Sequence, residues 1–110
     1  MQTVNPKNAY QEVQAGNTEA YEKEISSEAI NHQLTIEPVG ETTTGSMAIG
    51  VKAFGALDYT SLRDSAGDVL ALDMTAGSQT ITFTGRFVGI VITPSEDFDG
   101  DSFNVVSMGW

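Results

Sequence analysis

The segment Phe87-Val88-Gly89-Ile90-Val91-Ile92 constrains this chain more than any other: it is apolar at almost every position and is closed by Pro94. A run this short and β-branched suits a central strand covered on both faces. Proline ends it, having no N–H to donate to a ladder. A covered central strand needs partner strands, and the rest of the chain must supply them.

Candidate partners lie on either side. Leu34 and Ile36 alternate with Gln33 and Thr35 before Glu37-Pro38-Val39-Gly40 breaks the run. Met47, Ile49, Val51 and Ala53 alternate with Ala48, Gly50 and Lys52, and Leu57, Tyr59 and Leu62 fall in a third run. Asp64-Ser65-Ala66-Gly67-Asp68 reads as a turn, because Asp and Ser bond their own backbone and Gly accepts a positive φ. Val69 to Leu72 returns from it, Ala76-Gly77-Ser78 turns again, and Thr80-Ile81-Thr82-Phe83-Thr84 alternates threonine with apolar groups. Gly85-Arg86 leads into the central run, and Ser102 to Ser107 follows an acidic loop. About seven short strands with turn signals every eight to twelve residues predict an all-β fold, an antiparallel β-sandwich or small jelly-roll-like barrel. No helical period or internal repeat interrupts residues 32–110.

Residues 1–28 differ. Gln, Asn, Glu and Tyr dominate, and Val4, Val13 and Ile25 are too dispersed for an apolar stripe. The expectation is an N-terminal arm over 1–28, extended or weakly helical from an N-cap at Asn17, ahead of a sandwich domain over 29–110. With 110 residues there is room for one domain with one hydrophobic core.

Charge narrows the partners. Fifteen acids face five bases, a net charge of −10, and Lys7, Lys23, Lys52, Arg63 and Arg86 are scattered singly. Nucleic acid and anionic membranes would be repelled, and a basic protein surface or plain solubility is favoured. The start lacks the layout of a secretory signal, and no stretch approaches the length of an apolar membrane helix, so the reading is a soluble chain. The absence of cysteine excludes disulfides and thiolate metal sites.

Chemistry is thinly provided. His32 is the one histidine, no Gly-x-Ser-x-Gly turn offers a nucleophile, and the expectation is a surface or interface histidine in a protein that is not an enzyme. In Glu96-Asp97-Phe98-Asp99-Gly100-Asp101 the carboxylates of Asp97, Asp99 and Asp101 are candidate ligands for calcium. The EF-hand spacing is unmet, with glycine at the fourth place and Met108 at the twelfth, so a solvated hairpin turn is the favoured reading and no cofactor is expected. Phe54, Tyr59, Phe83, Phe87 and Phe103 stand at core-compatible positions. Tyr10 and Tyr21 on the arm, with Trp110 pinned against core or neighbour, are the candidate interface residues.

With the strands placed, the layout over residues 32–110 resembles that of small virion proteins of tailed bacteriophages. The likeness is carried by Gly45-Ser46-Met47-Ala48-Ile49, Ala53-Phe54-Gly55, and Tyr59-Thr60-Ser61-Leu62-Arg63-Asp64 before the Ala66-Gly67 turn. It continues through Ser78-Gln79-Thr80-Ile81-Thr82-Phe83-Thr84-Gly85, Ile92-Thr93-Pro94, Phe98-Asp99-Gly100 and Gly109-Trp110. Capsid decoration (cement) proteins, head-fibre proteins and small tail components share such β-sandwich domains. The resemblance implies a virion protein made in the host cytoplasm, homo-oligomeric and bound to the major capsid protein or other virion proteins. A tail or neck component is the alternative placement. A carbohydrate-binding module is the alternative from another class, and would need a flat row of exposed aromatics on one sheet.

Overall fold

In the computed structural model, residues 8–14 are described by their backbone and residues 19–110 in full. They form nine strands: β1 (Asn8–Gln14), β2 (Tyr21–Glu24), β3 (Asn31–Val39), β4 (Ser46–Ala53), β5 (Thr60–Ser61), β6 (Ala71–Asp73), β7 (Gln79–Thr84), β8 (Phe87–Pro94) and β9 (Ser102–Gly109). A 3-10 turn over Met74–Ala76 follows β6, with Asp73 as its N-cap.

All strand pairs are antiparallel. One sheet has the order β1-β9-β3-β7, the other β2-β8-β4-β5, with β6 also on β4. The pairing is nested: β1 with β9, β2 with β8, β3 with β7, and β4 with the short β5 and β6. A long folded hairpin rolled on itself makes this pattern, which is the jelly roll. The expected sandwich is therefore present, with more strands than the seven expected.

The alternation seen in the sequence becomes burial in the core. Leu34 and Ile36 of β3, Met47 and Ile49 of β4, Ile90 and Ile92 of β8, and Phe103 and Val105 of β9 fill the space between the sheets. Strand β8 is central, bonded to β2 and β4. The Asp64 turn forms as its residues require: the Asp64 carboxylate accepts the N–H groups of Ala66 and Asp68, each at 3.0 Å.

The described part of the N-terminal region takes the extended form of the two expected, and it pairs into the sheets. Residues 8–14 are a strand on β9, and Tyr21–Glu24 a strand on β8, so both sheets draw an edge from within 1–28. An edge strand needs little apolar surface of its own, because its neighbour supplies the ladder and the core is already closed beneath it. Asn17, the expected N-cap, lies outside the described residues.

Candidate functional site

Strand directions sort the loops to two ends of the sandwich. β4 runs from Ser46, bonded to Ser95, to Ala53, paired with Phe87. Its eight residues separate the ends by about 25 Å at ~3.3 Å per residue. One end carries the β3–β4 and β8–β9 loops with the start of the Met74 turn, and the other the β2–β3, β4–β5 and β7–β8 loops with Trp110.

The first end is acidic. Glu41, Asp73, Glu96, Asp97, Asp99 and Asp101 are exposed there, and no lysine or arginine stands in its described loops. These carboxylates do not converge on a cation position: among the described residues no group of three or more His, Cys, Asp or Glu could hold a metal ion. Asp99 instead accepts the N–H groups of Thr43 at 2.8 Å and Thr44 at 3.1 Å, and the Thr43 hydroxyl. The Thr43 hydroxyl first, then the N–H groups of Thr44 and Thr43, hold its carboxyl below the usual range. Asp97 accepts from Ser95 at 2.6 Å, and Asp101 gives its backbone N–H to Val39 at 2.9 Å. The candidate ligands Asp97, Asp99 and Asp101 thus hold a loop closed, and Phe98 between them is 3% exposed, its ring edge-on to Phe103. The loop keeps its carboxylates exposed, as a solvated turn would, while Phe98 plugs the core beneath it.

The opposite end is apolar. Leu57 is 91% exposed and Phe54 66%, on the β4–β5 loop, and Ile30 stands nearby at 49%. Phe54 was expected in the core, but the ladder slips between Lys52 and Ala53. The chain then leaves β4, and the Phe54 N–H bonds Arg86 at 3.0 Å, which turns the ring outward. Leu57 lies in the same loop rather than in a strand. Nothing in their local pattern separates these positions from core ones; the signal is the Phe54-Gly55-Ala56 break in the alternation.

Trp110 is half-buried and pinned at this end: its N–H donates to Asn31 at 2.9 Å, and its carbonyl accepts from Ile30 and Asn31, both at 3.0 Å. His32, expected at the surface or an interface, is 3% exposed. Its Nε2 lies 2.8 Å from the Gly85 carbonyl, an acceptor only, so that nitrogen carries the proton. The ring stacks on Phe83 at 5.0 Å and meets Phe87 at 5.5 Å, so His32 bolts the β7–β8 turn to β3. The three rings pack on one another at this end of the sandwich.

Tyr21, offered by the sequence as a docking residue, is 6% exposed and belongs to the core. Its position opposite Ile92 turns it to the inner face of its sheet. Tyr10 stands opposite Ser107 in register, and its side chain lies outside the described residues. Of the interface candidates, Trp110 alone is placed by its described side chain at the apolar end.

Tyr59 lies on the outer face of the β2-β8-β4 sheet, where two glycines leave it room. A Cβ at Gly89 would stand 2.6 Å from the Tyr59 hydroxyl, and one at Gly50 3.6 Å from its Cβ. Lys52 Nζ is 5.9 Å from the ring centre. Partial burial, then the hydrogen bond to Glu22, then the charges of Glu22 and Glu24, push its phenol up to about 12. Glu22, Glu24, Lys52 and Tyr59 line a shallow groove here. The residues in register on this face, Glu22, Glu24, Gly89, Val91, Gly50 and Lys52, bring no second ring beside Tyr59.

No protein family and no curated protein matches the sequence. In fold, the chain is similar to the SPBc2 prophage-derived protein YomS, covering 100% of this chain and 99% of that one, with a TM-score of 0.56 and 12% identity. It is also similar to a chain of the Bacillus endospore appendages described as a family of disulfide-linked pili, covering 99% and 93%, with a TM-score of 0.54 and 12% identity. At such identity the likeness is one of fold, end to end.

Proposed function

We propose that this chain is a structural subunit of a tailed-bacteriophage particle, a capsid decoration (cement) protein that strengthens the shell by protein–protein contact. The observation that carries the reading is the apolar end, where Leu57 and Phe54 stand 91% and 66% exposed on the β4–β5 loop. Burying either side chain against a partner is worth about 1.5–3 kcal/mol. The end-to-end likeness in fold to a prophage-derived protein supports a phage setting.

The likeness to a pilus-forming chain supports self-assembly as part of the role. Assembly of the present chain is not disulfide-linked, since it holds no cysteine. Its partners are copies of itself and virion proteins such as the major capsid protein, and its place is the virion. With a net charge of −10, nucleic acid and membrane stand outside the reading. No catalytic step or cofactor is assigned to it.

The test adds purified protein to shells from phage lacking the gene, measuring co-sedimentation and the temperature at which the shells rupture. Saturable binding and a raised rupture temperature are expected, both lost in Phe54→Ser/Leu57→Ser. Full binding by that variant, or no binding to shells, would overturn the reading; binding confined to isolated tails would move the protein to the tail or neck.

A further inference from the structure

We infer that β7 is a dimer edge: a second copy of this chain lays its own β7 antiparallel to it, joining two four-stranded sheets into one.

The two sheets have four open margins, β1, β7, β2 and the β5–β6 side of β4. Three are blunted. Strand β1 carries Glu12, β2 is four residues long with Glu22, Lys23 and Glu24, and β5 and β6 are two and three residues long. Charge and short length are what keep an edge from pairing further. Strand β7 has neither. It runs six residues, pairs with β3, and among the described residues no hydrogen bond from outside β3 reaches its main chain. It also lies in the longest stretch of the sequence without a charge, Met74 to Gly85.

The strand is its own complement. Thr80, Thr82 and Thr84 are exposed on the outer face, while Ile81 and Phe83 turn inward and stay half-buried at the rim of the core. Paired about Thr82, two copies set Thr80 against Thr84 and Ile81 against Phe83. Threonine meets threonine on one face, and the inner apolar row runs on from one copy to the next. This register matches even positions with even and odd with odd. The N–H and C=O groups that point away from β3 in one copy therefore face those of the other. A shift by one residue would set threonine against the apolar side chains.

Each copy carries a net charge of −10, so two copies meet best where the strand itself is uncharged. Beside β7 in its own sheet stands Glu37, which accepts from the Ser78 hydroxyl at 3.2 Å, and Arg86 follows the other end of the strand. The antiparallel pair brings Arg86 of each copy toward the Glu37 end of the other. On the other sheet, ~10 Å below, the margin from Asp58 to Asp73 holds Arg63 against Asp58, Asp64, Asp68 and Asp73. Backbone bonds and the threonine and apolar pairs thus hold the dimer against a residual repulsion that salt screens. The apolar ends of the pair face opposite ways, so one dimer joins two partners.

Sedimentation velocity and amide hydrogen exchange on the isolated protein, from micromolar to millimolar concentration and at low and high salt, test this apart from any shell. A dimer that grows no further is expected, because the two-fold uses up both edges. It should tighten with salt and protect alternate amides of β7 as it forms. Thr82→Lys, at an exposed position, sets like charges opposite each other and should weaken the dimer about fivefold or more. Thr80→Glu/Thr84→Lys sets unlike charges opposite and should keep it. A monomer at millimolar concentration, a dimer whose β7 amides stay unprotected, or equal affinities for wild type and Thr82→Lys would overturn the pairing. Protection of β7 that appears only when another virion protein is added would overturn the second copy as its occupant.

Discussion

Phe98→Ala tests whether the acidic loop is a core plug. Phe98 is 3% exposed, and its ring meets Phe103 edge-on at 6.4 Å with the planes at 75°. Gly45 makes room for it: at φ +119 a Cβ there would stand 2.5 Å from the Phe98 Cα. Losing the burial of a phenyl group costs about 1.5–3 kcal/mol, and losing the ring pair about 0.5–1.5 more. With the cavity left behind, the sum falls within the ~3–5 kcal/mol of buried Phe→Ala changes. That is a large share of the ~5–15 kcal/mol that holds a domain together. Urea unfolding followed by Trp110 fluorescence should show a lower midpoint at unchanged slope, while Leu57→Ala, at an exposed position, stays within about 0.5 kcal/mol of wild type. A loss below about 1 kcal/mol for Phe98→Ala would refute the plug and return the loop to a solvated turn.

Gly89→Ala should cost about 1–3 kcal/mol by driving a methyl into the Tyr59 hydroxyl, and the penalty should largely vanish in a Tyr59→Ser background; an equal penalty in both backgrounds would show that the two do not touch. The Tyr59 phenol, raised to about 12, keeps its proton in the folded state after an unfolded tyrosine, at ~10, has lost it. Its contribution to stability is therefore whole below the unfolded value and lost as pH rises through the folded one. Ultraviolet titration should lose a step near 12 in Tyr59→Phe, and see that step move down in Glu22→Gln; an unchanged curve in both would contradict the placement. Asp99, held low, contributes above its unfolded value and loses that contribution as pH falls through the folded one. An NMR titration should find its carboxyl moved up in Thr43→Val, and no movement would remove Thr43 as the cause.

The fold was legible where burial is two-sided or the turn chemistry specific. The Phe87–Ile92 run could only be a central strand, and it lies between β2 and β4. Met47, Ile49 and Val51 alternate without interruption and are all buried, and the Asp64 turn closes on its own carboxylate. The edges were not legible. Tyr21–Glu24 puts one apolar group, Tyr21, into the core, too little to register as a strand. At the site, Trp110 stands at the apolar end, but Phe54 read as core because alternation does not reveal a slipped ladder, and Leu57 read as part of a strand. Phe98 was hidden by its acidic neighbours, of which Asp99 bonds the facing loop through its carboxylate and holds the segment against it.

Cryo-imaging of purified phage particles tests the central claim most directly: this jelly roll serves a virion by contacts made through its apolar end. We predict density for the sandwich on the outside of the capsid, with the Phe54–Leu57 loop at a protein contact, and its disappearance from particles made with Leu57→Asp. Particles without the protein, or a bound copy whose apolar end faces open solvent, would contradict it.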